Sequence, residues 1–375
     1  MIKRIQLLCL LILGISQLLA AQQYYLFIGS YNRDKSKPGI YIYRFNPQDG
    51  GLQPVSTVSD VLNPAYLVPS ADGNYLYACT EAQTPGAGGV NSYAFNRETG
   101  QATWLSTQPA GGENPVYITE HNSHRWLAVA HYTGGSAAVF PVENGRIGKA
   151  AQVVAFKDSS LTDRQRSSHV HSAVLDPAHR FLFLPDLGAD KIRCFAFDAD
   201  AAQPLQAATP PFTATIPGSG PRHFTFHPQQ PFAYSIEELS GMVSAYHYAN
   251  GRLDSLQRIT AHRTRKKDID YSGADIHVSP DGRFLYASVR AKENIITIYA
   301  INQATGLLSR VAYQSTGGDH PRNFVIDPTG KYLLVANQIS NNVVVFERNI
   351  QTGLLKRTGT ELTMPAPSCL QIKAY

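Results

Sequence analysis

The sequence predicts an all-β chain folded as a seven-bladed β-propeller. Each blade has four antiparallel strands, and the C-terminal strand closes the ring by joining the N-terminal blade. Three observations predict this. The composition favours strands and turns, with Tyr 20, Phe 16, Gly 29 and Pro 23 against Met 3 in 375 residues. One unit recurs at near-constant spacing, and units of about 40–50 residues holding four short strands are the mark of propeller blades. The partial units at the two chain ends complete each other. A β-sandwich gives no reason for one motif to recur at such spacing.

The chain opens with a segment that reads as a secretory signal, residues 1–21. Lys3 and Arg4 supply the positive start, Leu7 to Leu19 the apolar run, and Ala20-Ala21 the small residues before a cut. A membrane anchor is the competing reading. The run is short for a span of roughly 20 residues, and Gly14, Ser16 and Gln17 interrupt it. The mature chain, residues 22–375, is therefore expected to be one exported propeller domain, periplasmic or secreted, monomeric, and free of the membrane once cleaved. The formal charge of +5 falls to +3 without Lys3 and Arg4, too mild and dispersed to suggest nucleic acid. Cys9 leaves with the leader. Cys79, Cys194 and Cys369 are odd in number and widely spaced, so buried thiols are expected rather than disulfides or zinc.

The repeat aligns on an aromatic at Tyr75, Trp126, Phe181, Phe232, Phe284 and Tyr332, spaced 51, 55, 51, 52 and 48 residues apart. In each unit a first strand follows a Pro or small residue, as in Asn63-Pro64-Ala65-Tyr66, Gly220-Pro221-Arg222-His223 and His320-Pro321-Arg322-Asn323. A turn such as Pro280-Asp281-Gly282 leads to an apolar second strand such as Phe284-Leu285-Tyr286-Ala287. A third, alternating strand ends at Thr99-Gly100, Thr305-Gly306 or Thr352-Gly353, and a weaker fourth strand completes the unit. Tyr24 to Tyr31 and Gly39 to Phe45 match a second and a third strand with no first. The missing first strand stands at the other end, Pro365 to Ile372.

Propeller geometry then selects residues. Strand 1 starts and strand 2 ends open on one mouth of the central channel. Counting from the aromatic, the starts are Ala65, Val116, His171, Arg222, Ala274 and Arg322, and the ends are Glu81, Tyr132, Leu187, Glu238, Arg290 and Gln338. Three consecutive blades thus supply His171, then Arg222 and Glu238, then Arg290. An imidazole, a carboxylate and two guanidiniums suit anion binding and acid–base chemistry. The bland readings are a satisfied histidine, inter-blade Arg–Glu pairs, and inert rim residues at Glu81 and Gln338. His169 and His171 alternate on one strand face, a spacing a metal could use, but no third ligand of matching type stands nearby, and none is expected. Two basic loops, Arg164-Gln165-Arg166 and Arg263, Arg265, Lys266 and Lys267, border the same face. They read either as solvated charge or as attraction for an acidic substrate.

At these residues the sequence resembles the lactonase family of seven-bladed propellers, which holds bacterial 6-phosphogluconolactonases and fungal 3-carboxy-cis,cis-muconate lactonizing enzymes. The resemblance spans nearly the whole mature chain. It is carried by Gly29-Ser30-Tyr31, Tyr132-Thr133-Gly134-Gly135-Ser136, Arg164-Gln165, His169-Val170-His171-Ser172, Asp186-Leu187-Gly188-Ala189-Asp190, Gly218-Ser219-Gly220-Pro221-Arg222-His223, Glu238-Leu239, Ser279 to Tyr286, Arg290 and Ala336-Asn337-Gln338. The resemblance implies an active site of His171, Arg222, Glu238 and Arg290; around it, substrate contacts are expected from His169, His223, Arg322, Gln338, Glu81 and Tyr132. Four features depart from the family pattern: Glu237, Val289 and His131 each stand where Asn is usual, and the basic stretch 262–270 is unusual.

The function expected is hydrolysis of an anionic sugar-acid lactone without metal or cofactor. Arg222 and Arg290 would bind the anion and the developing oxyanion, and either His171 or Glu238 would activate water. No Gly-x-Ser-x-Gly elbow is present. The resemblance points to 6-phosphogluconolactone, whereas the leader points to unphosphorylated aldonolactones or carboxylated lactones outside the cytosol. The alternatives are the reverse, lactonizing direction and a non-catalytic propeller that binds a ligand or a protein.

Overall fold

The computed structural model describes residues 22–82, 88–264 and 271–375. The reading of residues 1–21 as a leader, and of Arg265, Lys266 and Lys267 as a basic loop, lies outside the described residues. Within them the chain forms seven antiparallel sheets, and the closing strand Pro367–Ala374 pairs with Tyr24–Ser30 as the sequence predicts. Blade I is completed by Ile40–Phe45 and Leu52–Val58. The inner strands of the others are Pro64–Pro69 (blade II), Pro115–Glu120 (III), Val174–Leu175 (IV), Pro221–Phe226 (V), Gly273–Val278 (VI) and Pro321–Ile326 (VII).

The second strands are buried along nearly their whole length, completely so in Phe232–Glu237, Phe284–Val289 and Tyr332–Asn337. They lie between sheets on both faces and so read as unbroken apolar runs rather than alternating ones. The core is accordingly divided among the blade interfaces. One cluster joins Phe232, Tyr234 and Ile236 of blade V to Ile276, Leu285 and Ala287 of blade VI. Cys79, Cys194 and Cys369 are buried free thiols, and burial pushes Cys194 and Cys369 up to about 12.

Two blades depart from the repeat. The outer edge of blade III is split into Arg146–Ile147 and Gln152–Ala155. The inner strand of blade IV shrinks to two residues, with a lone bridge between Val170 and Asp186 upstream. His171 therefore occupies an open stretch where other blades have a strand start. The buried Ser172 hydroxyl ties that stretch to the carbonyl of Arg222 at 2.9 Å.

Two repeated backbone devices build the mouth. In the first, the residue before the inner strand is left-handed: Asn63, Asn114, Gly220, His320 and Ala366, with φ of 44°, 61°, 63°, 65° and 30°. Each precedes a proline, so the chain enters the strand with its φ fixed. The carbonyl of each accepts from the first residue past the second strand, namely Glu81, Tyr132, Glu238, Gln338 and Tyr31, at 2.7–3.0 Å. The second device is a register shift at the second residue of the inner strand. It leaves Ala65, Val116, Arg222, Arg322 and Ser368 unpaired in the ladder. Such bulges re-aim a side chain. Here they turn it into the channel.

Candidate active site

Most of the counted strand starts and ends meet at one mouth, whereas Leu187, Ala274 and Gln338 line neither of its two central cavities. Glu81, Asn114, Val116, Tyr132, Arg164, His171, Glu238, Arg290 and Arg322 line one cavity of about 240 Å³. Directly beneath it, His171, Arg222, His223 and Arg322 share a void of about 10 Å³ with Ala65, Tyr66, Val116, Asn323 and Ser368. His171, Arg222, Glu238 and Arg290 are all buried.

Glu238 is the electrostatic centre. Its Oε2 accepts from Arg222 Nε at 2.9 Å and lies 2.9 Å from Arg290 Nη2, while Oε1 accepts from Arg164 Nη2 at 2.7 Å. Burial alone would raise its pKa. The guanidiniums of Arg290, Arg222 and Arg164 outweigh that and hold the carboxyl well below the usual range. Glu238 is thus a fixed anion with both oxygens engaged, a poor proton acceptor and a good anchor for arginines.

The arginines keep unspent capacity. Arg222 also donates to the Ala274 carbonyl at 2.5 Å. Arg290 has a buried Nε with no partner, and its Nη1 reaches His320 Nε2 at 3.4 Å. Burial lowers both pKa values, Arg222 to about 9, but guanidinium groups in this setting remain charged. Four guanidiniums thus face two carboxylates, Glu238 and Glu81. The balance is positive in a site of low dielectric, where a bound anion is strongly favoured.

His171 contrasts with Glu238. Burial and the guanidiniums of Arg222 and Arg322 push its pKa well below 6.5, so the ring is neutral. Its Nδ1 has no partner. Tyr132 fixes the ring edge-on at 5.3 Å between centroids. An unprotonated imidazole beside a cationic cavity is chemically a base.

The remaining residues fall around this centre. His169 stacks on Tyr132 at 4.5 Å and bonds its carbonyl at 2.8 Å, so it backs the tyrosine instead of facing the cavity. Glu81 accepts from the Tyr31 hydroxyl and lies 3.6 Å from Arg322. Gln338 does not line the central cavity. With Tyr31, Asn32 and Glu81 it lines an adjoining cavity of about 590 Å³ between blades I, II and VII. Among the described residues no group of three or more His, Cys, Asp or Glu side chains could hold a metal ion.

Arg164 is more than the basic-loop residue that its sequence context suggests. It bridges Glu238 and, at 3.0 Å, the Tyr132 hydroxyl. A short 3₁₀ turn, Asp163–Gln165, carries it over the mouth, anchored by Gln165 on the Leu187 carbonyl at 2.8 Å. Asn114 lines the cavity, His320 borders Arg290, and Tyr31, the strand 2 end of blade I by the same count, reaches Glu81. Arg263 lies off the cavity, its guanidinium over Tyr313 and its backbone held by Glu293.

The departures at the ends of second strands are absorbed by the scaffold. Glu237 is fully buried and paired with Arg258 at 2.6 Å, with Ser240 and Ser244 on its oxygens. His131 bonds Ser136 and the Ala110 carbonyl, and Val289 packs in the core.

The chain matches the family model "Lactonase, 7-bladed beta-propeller" over residues 25–372. It is 40% identical over 353 residues to a 6-phosphogluconolactonase of Formosa agariphila, covering 93% of this chain and 99% of that one. To the 6-phosphogluconolactonase of Bacillus subtilis it is 31% identical, with 92% and 97% covered. Among solved structures, the periplasmic gluconolactonase of Pseudomonas aeruginosa superposes with a TM-score of 0.88 at 35% identity, covering 93% of this chain and 99% of that one. The ring, the mouth and these matches together show that the chain belongs to the lactonase family of seven-bladed β-propellers.

Proposed function

We propose that the mouth hydrolyses the ring ester of a sugar-acid lactone, with 6-phosphogluconolactone or a related aldonolactone as substrate. The observation that carries this reading is a neutral, buried His171 set against a cavity rich in guanidinium groups. The lactone carbonyl turns towards Arg222 and Arg290, whose charges stabilise the oxyanion as water adds. His171 takes the proton of the attacking water and returns it to the ring oxygen as the ester C–O bond breaks. Glu238 is the fixed counter-ion that holds Arg222, Arg290 and Arg164 in register. Of the two candidate bases, the imidazole fits the task, since three guanidiniums leave the carboxylate little basicity. Arg322 and Glu81 frame the far wall, where the polyol or its anionic substituent would lie. None of these steps draws on a metal.

The apolar leader-like start and the periplasmic relative from Pseudomonas aeruginosa support an exported enzyme acting on lactones outside the cytosol. Opening a lactone releases acid, so a pH-indicator assay on glucono-, 6-phosphoglucono- and muconolactones tests both activity and substrate. Arg222→Ala and His171→Gln are each expected to lower kcat/KM by about 100-fold or more while the fold is retained. Unchanged turnover in both would remove the site assignment. Activity that disappears on chelation and returns with a metal would overturn metal independence.

A further inference from the structure

One step deeper in the channel lies a second constellation that this mechanism leaves unused. His223 follows Arg222 on the inner strand of blade V. Its Nδ1 is 2.7 Å from Oδ1 of Asp275 on blade VI. Asp275 is fully buried and is fixed from every side. Its Oδ1 also accepts from the backbone of Ile276 at 3.0 Å. Its Oδ2 accepts from Asn323 at 2.6 Å, from the backbone of Phe324 at 3.1 Å and from His277 Nε2 at 3.0 Å. A carboxylate so held accepts from His223, which places that ring's proton on Nδ1 and leaves Nε2 as a bare acceptor.

The His223 ring lies 5.4 Å from His171, edge-on, and both line the same void of about 10 Å³. That volume is about one water, and the lining is polar enough to hold it. The groups facing His223 are Asp275 and His277 of blade VI, Arg222 of its own strand, His171 of blade IV, Arg322 of blade VII, and the stacked Tyr66 and Tyr117. Only one of these is a carboxylate. A proton on His171 meets cations in Arg222 and Arg322. A proton on His223 also feels burial and Arg222, which hold its pKa down at about 4, but unlike one on His171 it has a carboxylate, Asp275, directly against it.

We propose that His223, oriented by Asp275, is the second half of the base. A water in the void passes the proton between His171 and His223 Nε2. The attacking water loses one proton to His171. His171 yields one to the void water, and that water yields one to His223, whose imidazolium rests against the Asp275 carboxylate. The same path in reverse protonates the departing ring oxygen, so both imidazoles end the cycle as they began, and the acid released is that of the product carboxyl. Asp275 touches no substrate and acts as a positioning residue. The proposal rests on the lactonase reading of the mouth.

Histidine ring ¹⁵N NMR of the full chain tests the dyad without any turnover. His223 is expected as the Nδ1–H tautomer, and Asp275→Asn should shift it to Nε2–H. In the lactone assay Asp275→Asn should lower kcat about 100-fold with KM within about two-fold, and move the acid limb of kcat to lower pH. His277→Gln, which leaves the His223 contact in place, should keep wild-type kcat. An Nε2–H tautomer in the wild type, or an Asp275→Asn enzyme with the wild-type kcat and pH profile, would overturn the dyad alone. A wild type inert on every lactone would overturn the mouth mechanism and this relay together.

Discussion

His171 and Glu238 show how one cavity treats an imidazole and a carboxylate in opposite ways. Burial disfavours charge on both. Glu238 has three guanidiniums to restore its charge, whereas the cations Arg222 and Arg322 add to the effect of burial on His171. The base form of His171 therefore persists below the ordinary histidine value. On a neutral lactone, kcat/KM should stay level from about pH 8 down to about pH 6 and fall only in more acid solution. An acid limb centred near pH 7 in a pH–rate profile would contradict the assignment. Stability carries the same sign. Folding holds His131 and His223 at about 4 and His171 well below 6.5, so below 6.5 the unfolded chain binds more protons than the folded one. Stability from these rings is complete above about pH 6.5 and is lost as pH falls towards 4. Each contributes up to about 1.4 kcal/mol per pH unit in that window. Denaturant midpoints measured between pH 7 and pH 5 should fall monotonically.

The turn between the third and fourth strands shows why the aromatic of the second strand repeats at all. Gly306 of blade VI packs on Phe232 of blade V, and Gly353 of blade VII packs on Phe284 of blade VI. The hydroxyls of Tyr234 and Tyr286 cap the same two turns, donating to the carbonyls of Gly306 and Gly353 at 3.0 and 2.7 Å. At Gly306 φ is +72°, and a Cβ there would lie 2.5 Å from the Phe232 ring. Gly306→Ala combines backbone strain with a clash at the junction between blades. It should destabilise the protein by about 1–3 kcal/mol, seen as a lower urea midpoint with an unchanged slope. Because Gly306 lies on the face opposite the mouth, KM should remain at its wild-type value. The junction at Trp126 solves the same problem without glycine, since its indole N–H donates to the Ala199 carbonyl at 2.9 Å.

At the scale of the whole molecule the ring is closed by a strand from the far end of the chain. Pro367–Ala374 pairs with Tyr24–Ser30 along its length, and Gln23 and Tyr375 exchange backbone hydrogen bonds at 3.1 and 2.8 Å. The same strand reaches its neighbours, with Ser368 donating to the Pro64 carbonyl at 2.6 Å and Leu370 to Asn323 Oδ1 at 2.7 Å. Truncation after Met364 should expose the edge of Tyr24–Ser30 and part blade VII from blade II. The expected result is loss of a single cooperative unfolding transition and self-association on size exclusion. A truncated chain that stays monomeric and melts in one sharp step would show that closure is dispensable.

Much of this was legible before any coordinates. The seven-unit repeat, the split first blade and the buried cysteines follow from spacing and composition, because each blade must solve the same packing problem with local residues. Counting from one aromatic also brought His171, Arg222, Glu238 and Arg290 to one mouth, since a repeated strand length fixes where each side chain emerges. Only the tertiary structure decided how those groups partner. That Glu238 of blade V also takes Arg290 of blade VI, that Arg164 leans onto it from a loop, and that Asp275 of blade VI sits behind His223 of blade V are all contacts between blades. No local pattern encodes them, because the partners lie on different repeats and meet only when the ring closes.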